Sequence, residues 1–405
     1  MIARKIREEE FKRVDELFSV SFESKYDNDK TPREVIEEVK ANPDSREAIF
    51  WQERYAAFED DDKTMMSSFI ISPMLGNFDG NEVAVDGVGG VATLPQYRRR
   101  GGIRECMKVF LKDSFKAGHE FSYLYPFSTA YYRKFGYELG VEAYVYKINL
   151  SFIPNFDVKG HCVLCEPSDN HLDDIKALHS VWEKKYNMMI INRDYEYGFI
   201  TESSPFKDLV YTYIYRDEAG TPKGYMRFNI DSDRVLNCQR IICADVEGFK
   251  GLMNLAKSFA SDHPAIRFVL PDDWYIRDFF PEWSLGAGEA SVALRGMGRV
   301  VCVKKVLELA RYKGDGEIRI KVSDNIIEEN NRIFKVTFKD GKAVNVSADA
   351  LDYDIAMSIS DFSRLITGCL ETDRIDFLEK VDVKCDKSLL AKVFYKKPLM
   401  IMEYF

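Results

Sequence analysis

The stretch VATLPQYRRRGGIREC, residues 91–106, constrains this chain more than any other. It leaves a glycine-containing strand pattern, NEVAVDGVGGVATL, breaks at Pro95, and sets Arg98, Arg99 and Arg100 directly before Gly101 and Gly102. From Ile103 onward, Met107, Phe110, Leu111 and Phe115 fall on one helical stripe, and Gly118 suits the helix end. A strand therefore hands over to a helix through arginine and glycine. The first turn of a helix has backbone N–H groups without intrahelical partners and carries partial positive charge. Glycine lets a ligand approach that backbone, and arginine adds charge-assisted hydrogen bonds. In a chain of formal net charge -9, such a concentration of cations predicts a bound anion, with pyrophosphate the natural guest. A solvated basic helix start is the plainer reading of an arginine run, but the flanking strand, Pro95 and the helical stripe weigh against it. No Gly-Lys-Ser/Thr follows, and the spacing is not that of a dinucleotide fingerprint.

At 405 residues the chain is long enough for two to three domains. Residues 1–150 alternate helical and strand patterns, from the helical spacing of Phe11, Val14, Leu17 and Phe18 to a closing strand in FGYELGVEAYVYKINL. Residues 151–293 open with Pro154, Gly160 and Pro167 and then repeat the order strands, helix, strand. A helix is expected at 171–186, a hairpin at LVYTYIYRDEAGTPKGYMRFNI, a helix near 248–261 and a strand at AIRFVL. The arginine-glycine stretch has no counterpart there. Residues 294–405 read as a small α+β block. RVVCVKKVLELARY is helical; GEIRIKVSD, NRIFKVTF and KAVNVSA are strands; a second helix starts at Ser360 and stops at Gly368.

Other classes are argued against. No apolar run reaches the ~20 residues of a membrane helix, and the acidic balance speaks against nucleic acid. The opening MIARKIREEEF has no apolar signal region, and eight scattered cysteines read as reduced core thiols, so a cytoplasmic location is expected. Cys162 and Cys165 form the one close pair, but without a second pair they read as part of a buried strand. His161, His171 and His179 lack metal spacing, and no metal is expected.

The segment VATLPQYRRRGGIREC resembles motif A of the Gcn5-related (GNAT) N-acetyltransferases, where a splayed strand and an Arg/Gln-x-x-Gly-x-Gly/Ala loop hold the acetyl-CoA pyrophosphate. Ile103 stands where Gly or Ala is usual, a departure shared by the Eis-like subgroup. YYRKFGYELG, the chain length and the aromatic end MEYF are similar to that subgroup as well. The resemblance implies an α/β fold of mixed sheets: a catalytic GNAT domain (1–150), a degenerate GNAT-like domain (151–293) and a sterol-carrier-like α+β domain (294–405). It implies that Val91, Ala92 and Thr93 bind pantetheine and the acetyl group, that Arg99, Arg100, Gly101, Gly102, Ile103 and Arg104 wrap the pyrophosphate, and that Phe127 and Ser128 touch the cofactor. It implies Tyr132 as general acid and the terminal carboxylate of Phe405 as general base. The acceptor would be a cationic amine, aminoglycoside-like, polyamine-like or a peptide lysine, and the assembly a homohexamer. Glu23, Asp27 and Glu403 are candidate acidic contacts for it.

The residues allow these roles. Acetyl transfer needs a neutral amine, a polarised thioester and a proton for the departing thiolate, which a tyrosine can supply. The chain has 22 tyrosines, so a packed aromatic is the plainer reading of Tyr132 taken alone. The end PLMIMEYF is too apolar to sit in water and should be docked, carrying its carboxylate into the protein. Two other functions compete: a lipid or hydrophobic-ligand binder using the third block, and a CoA sensor without catalysis.

Overall fold

The computed structural model describes residues 1–25, 34, 37, 41, 53–167, 171–193, 197, 203–284 and 286–403. Two compact units emerge. One holds residues 1–140, 296–397 and 403; the other holds 141–295 and 398–402.

The first unit begins with β1 (Ile2–Lys5) and α1 (Phe11–Ser21), followed by β2 (Arg54–Phe58), β3 (Met65–Phe78) and β4 (Asn81–Thr93). α2 (Gly102–Ala117), β5 (Phe121–Leu124), the single turn α3 (Thr129–Tyr132) and β6 (Glu138–Leu139) complete this stretch. α2 ends where the sequence predicts, with Gly118 left-handed at φ 81°. Its apolar stripe of Ile103, Met107, Phe110 and Leu111 packs on Tyr55, Phe69 and Ile71 from the sheet. β3 and β4 form a long antiparallel hairpin, with a bulge near Ser68–Ile70 and a left-handed Gly90.

In the second unit, β7 (Glu142–Asn149), β8 (His161–Leu164), α4 (Leu172–Lys185) and β9 (Ile190–Ile191) come first. β10 (Val210–Arg216), β11 (Pro222–Ile230), β12 (Leu236–Cys243), α5 (Val246–Lys257), β13 (Ala265–Pro271) and β14 (Gly288–Leu294) follow. The sheet runs β14-β7-β13-β12-β11-β10-β8. Its core includes Trp182, Tyr186, Phe228, Phe249 and Phe268. The chain-end run docks here as its composition predicts: Leu399, Met400 and Ile401 are each 1% exposed. Arg295 donates to the carbonyls of Ile401 and Met402, both at 3.2 Å. Cys162 lies on β8, and the eight cysteines are all free thiols.

Back in the first unit, β15 (Met297–Val300) is followed by α6 (Val303–Leu309), β16 (Gly316–Ser323), β17 (Ile333–Lys339), β18 (Lys342–Ser347), β19 (Ile355–Ser358), α7 (Ile359–Thr367), β20 (Asp382–Val383) and α8 (Lys387–Val393). The five-stranded sheet has the order β18-β17-β16-β19-β20. Its strands alternate as a one-sided sheet should: Ile318, Ile320 and Val322 on β16 and Phe334, Val336 and Phe338 on β17 point inward.

Three elements differ from the sequence reading. Arg299 and Val300, read as the start of a helix, belong instead to the strand Met297–Val300, which inserts between β5 and β6, giving the sheet order β1-β2-β3-β4-β5-β15-β6. The strand at 142–149 pairs with β13 and β14 in the second sheet rather than with the first. α7 is capped by Ser358, whose hydroxyl accepts from the Asp361 amide, and not by Ser360.

Candidate functional site: an anion-binding cleft at the start of α2

β4 and β5 run parallel only from Val85 beside Phe121 to Val88 beside Leu124. β5 then ends, while β4 continues, paired with β3 on its other side, as far as Thr93 opposite Ser67. The edge of Gly89–Thr93 that β5 would cover is left open. A cleft of about 860 Å³ fills that space, lined by Val91, Ala92 and Thr93 along β4.

The loop after β4 delivers the backbone of α2 to the same cleft. Arg99 (φ 65°) and the N-cap Gly101 (φ 88°) are both left-handed, and no side chain caps this helix. The first-turn amides of Gly102, Ile103 and Arg104 thus keep the unpaired character every helix start has. Gly102 is needed for a different reason. A Cβ there would sit 2.5 Å from Ser67 Oγ and 3.2 Å from Ala57 Cβ, so only glycine lets α2 approach the sheet this closely. Ser67 Oγ is itself fixed, accepting from Thr93 Oγ1 at 3.0 Å.

Arg98, Arg99, Arg104, Lys108 and Lys134 all line the cleft. Glu105 is the acid beside them. Burial works to raise its carboxyl, but hydrogen bonds from Lys108 (3.1 Å) and Arg104 (3.0 Å) hold it below the usual carboxylate range. The open strand edge, the uncapped glycine start and the cationic walls together give the cleft the chemistry to bind an anion.

The other expected residues fall in several places. Ile103 lines the cleft, and Phe127 stands at it 70% exposed. Arg100 turns aside, its guanidinium 2.8 Å from Glu59 and over the Tyr97 ring. Ser128 spends its hydroxyl as the N-cap of α3, accepting from the Tyr131 amide at 3.3 Å. Tyr132 is 1% exposed, packed edge-on against Phe127, Tyr131 and Tyr137. Burial pushes its phenol well above the ordinary tyrosine value. Glu23 is exposed and left-handed (φ 53°), directly after the cleft residues Ser21 and Phe22. Glu403 is buried. Asp27 and Phe405 lie outside the described residues.

The sequence reading missed Tyr131 and Lys134, which line the cleft with Phe127. The signal was there in the spacing: 127, 131 and 134 follow a helical period in the sequence, and Tyr132 falls off it and is buried. It also missed Asn325 and Ile326 from the C-terminal block, which form part of the same wall. His179, read as surface or structural, is structural: it is fully buried against the Tyr225 hydroxyl. Among the described residues no cluster of metal-ligating side chains occurs. No described helix is long and apolar enough to cross a membrane.

A splayed parallel strand pair with an uncapped glycine helix start beside it is the arrangement that the GNAT resemblance implies. Comparison with known families agrees. Residues 3–140 match the acetyltransferase (GNAT) domain, and residues 303–401 match the sterol carrier protein domain. The protein is a GNAT-family N-acetyltransferase with a C-terminal sterol-carrier domain, and acyl-CoA is its co-substrate.

Its fold is shared along the whole chain by several solved structures. A conserved protein of unknown function from Enterococcus faecalis V583, titled a probable N-acyltransferase, superposes with a TM-score of 0.83 at 21% identity, covering 100% of this chain and 99% of that one. A GCN5-related N-acetyltransferase from Anabaena variabilis ATCC 29413 gives 0.82 at 17% identity, with 100% of both chains covered. Eis1 from Mycobacterium abscessus gives 0.77 at 15%, again over 100% of both. A search of curated proteins finds no significant match.

Proposed function

We propose that this protein transfers the acetyl group of acetyl-CoA directly to a primary amine of a small cationic molecule, aminoglycoside-like or polyamine-like, with a peptide lysine as a further acceptor of the same chemistry. The observation that carries the CoA assignment is the left-handed, side-chain-free N-cap at Gly101 beside the open edge of β4. The amides of Gly102, Ile103 and Arg104, with Arg98, Arg99 and Arg104, would hold the pyrophosphate. Arg100, paired with Glu59, would serve by fixing the loop. Val91–Thr93 would align the pantetheine arm and polarise the thioester carbonyl through backbone N–H groups. Phe127 would cover the arm, and Ser128 would orient α3.

When bound, acetyl-CoA supplies the activated acyl group. Tyr132 is the proposed acid for the departing thiolate. Its raised pKa keeps the proton on the phenol throughout the neutral range, so the acid is always loaded. The terminal carboxylate of Phe405 is the proposed base that takes the amine's proton, and Glu23, Asp27 and Glu403 are the proposed acidic contacts for the acceptor. A hexameric assembly and a cytoplasmic location go with this reading; the free thiols suit a reducing compartment.

The test is Gly101→Glu. A glutamate there must adopt a left-handed backbone and sets a negative charge against the diphosphate. Calorimetry should show acetyl-CoA binding lost in a folded variant. Unchanged affinity would remove the cradle from the mechanism.

A further inference from the structure

The cleft has a wall that the GNAT motif does not supply. Asn325 and Ile326 line it, and they belong to the loop after β16, inside the sterol-carrier domain. That loop is pinned from within. Asp324 and Arg299 form an ion pair whose side chains are both 0% exposed. Asp324 Oδ1 accepts from the Ile326 amide at 2.9 Å and the Ile327 amide at 3.2 Å, and Asn330 Nδ2 donates to Oδ2 at 3.0 Å. Arg299, on β15, also donates to the carbonyls of Phe135 and Val300. Phe135 is itself a cleft residue. One guanidinium therefore ties the loop to the segment after α3.

A second tie lies outside. Asn325 Nδ2 donates to the carbonyl of Lys134 at 3.0 Å, and Lys134 lines the same cleft. Beneath it, Ile326 and Ile327 join the core that holds Ile103 and Met107 of α2, with Tyr132 and Phe135. The packing is tight enough that a Cβ on Gly136 would lie 3.0 Å from Arg299 Nη1 and 2.7 Å from Ile359. Buried ion pairs contribute little net stability, but removing one partner is costly, which suits a part kept to fix geometry.

We propose that residues 324–326 of the sterol-carrier domain are a working wall of the acyl-CoA cleft, held by the Arg299–Asp324 pair, with Asn325 a positioning residue that sets acyl-CoA affinity by latching the Lys134–Phe135 backbone. This rests on the reading of the cleft as the CoA site. The C-terminal domain then has a structural part in co-substrate binding, besides carrying the chain end.

The experiment is calorimetric titration of acetyl-CoA into the full chain, with thermal midpoints measured on the same samples. Asn325 is exposed, so Asn325→Ala should fold normally. Its Kd for acetyl-CoA should rise about three- to tenfold, the value of one lost hydrogen bond, with an unchanged midpoint. Asn325→Asp keeps the shape, loses the donor and adds a negative charge to the wall of the cleft. Its Kd should rise further, and the excess over alanine should shrink in high salt. Unchanged affinity in both variants overturns the proposal, as does a lower midpoint with unchanged Kd, the mark of a stabilising contact alone. Gly101→Glu run alongside separates the two claims. If it abolishes binding while the Asn325 variants bind normally, only the latch fails; if it too binds normally, the CoA site itself is misplaced.

Discussion

Gly102→Ala is a one-methyl test of how α2 is seated. The new Cβ would lie 2.5 Å from Ser67 Oγ, 3.1 Å from Ser67 Cβ and 3.2 Å from Ala57 Cβ. Ordinary contact needs roughly 0.5–1 Å more, and Ser67 cannot yield freely because Thr93 holds its hydroxyl and β3 its backbone. Overpacking of this kind costs about 1–3 kcal/mol, several degrees in thermal midpoint. The helix start must also lift, and a hydrogen bond stretched by that amount from about 2.9 Å is lost. Two first-turn amides released from a diphosphate, at about 1–1.5 kcal/mol each, weaken acetyl-CoA binding about thirty- to 150-fold. Calorimetry and a thermal melt read both effects. Ser67→Gly in the same chain removes both serine atoms from the clash and should recover most of the affinity, giving strong non-additivity in the cycle. Wild-type affinity in Gly102→Ala alone would refute the argument that this glycine seats the amides.

Three further outcomes are expected. Tyr132→Phe should lower kcat about a hundredfold or more with acetyl-CoA affinity nearly unchanged, whereas Tyr131→Phe should change kcat less; the reverse order would move the acid to Tyr131. A short Gly/Ser tail after Phe405 turns the proposed base into an amide and should cripple acetylation at an unchanged thermal midpoint, while the same tail before Met1 should be tolerated. Equal kcat in the two tailed proteins would send the search for the base to acidic side chains such as Glu403. His119 Nδ1 donates to the Asp86 carboxylate at 2.8 Å, and that hydrogen bond, against burial, raises its pKa. A raised folded-state pKa gives stability fully present below the ordinary histidine value of about 6.5 and lost as pH rises through the folded value. The midpoint difference between wild type and His119→Gln should therefore be widest in mild acid and close on the alkaline side; a pH-independent gap would contradict it.

What could be read from the sequence was what local chemistry decides. The stripe from Ile103 to Phe115 and the stop at Gly118 gave α2 nearly residue for residue, because amphipathic period and glycine capping act within a turn or two. The docked chain end was equally legible, since Leu399–Ile401 have no other place to go. Strand partnership was not. Glu142–Asn149 closes the first block in sequence yet pairs with β13, while Met297–Val300 lies far along the chain and completes the first sheet beside β5. Nothing in a short apolar run names its partner. Arg299 was hidden for a related reason: an arginine in GMGRVVC reads as a surface residue until Asp324 and two carbonyls are folded around it. The match at YYRKFGY drew attention to Tyr132 and away from Tyr131 and Lys134, which the turn of α3 sends to the cleft side.

The two larger sheets show how little separates the proposed CoA cradle from a plain structural helix. In each, a strand leads to a helix and then to a parallel strand: β4-α2-β5 and β12-α5-β13. The parallel pairing is brief in both, with Leu236 beside Ile266 and Asn237 beside Arg267 in the second. The difference lies in the join. Between β4 and α2 run eight residues, 94–101, ending in a left-handed glycine with no side-chain cap. Between β12 and α5 run two, Ala244 and Asp245. Asp245 caps its helix, accepting from the Gly248 amide at 3.0 Å, and its other oxygen holds Lys223. A carboxylate already occupies the position a phosphate would take, and it satisfies a donor that α2 leaves free. The second helix start is stabilised by its own sequence; the first has no such cap, and it is this difference that the proposed CoA site would use.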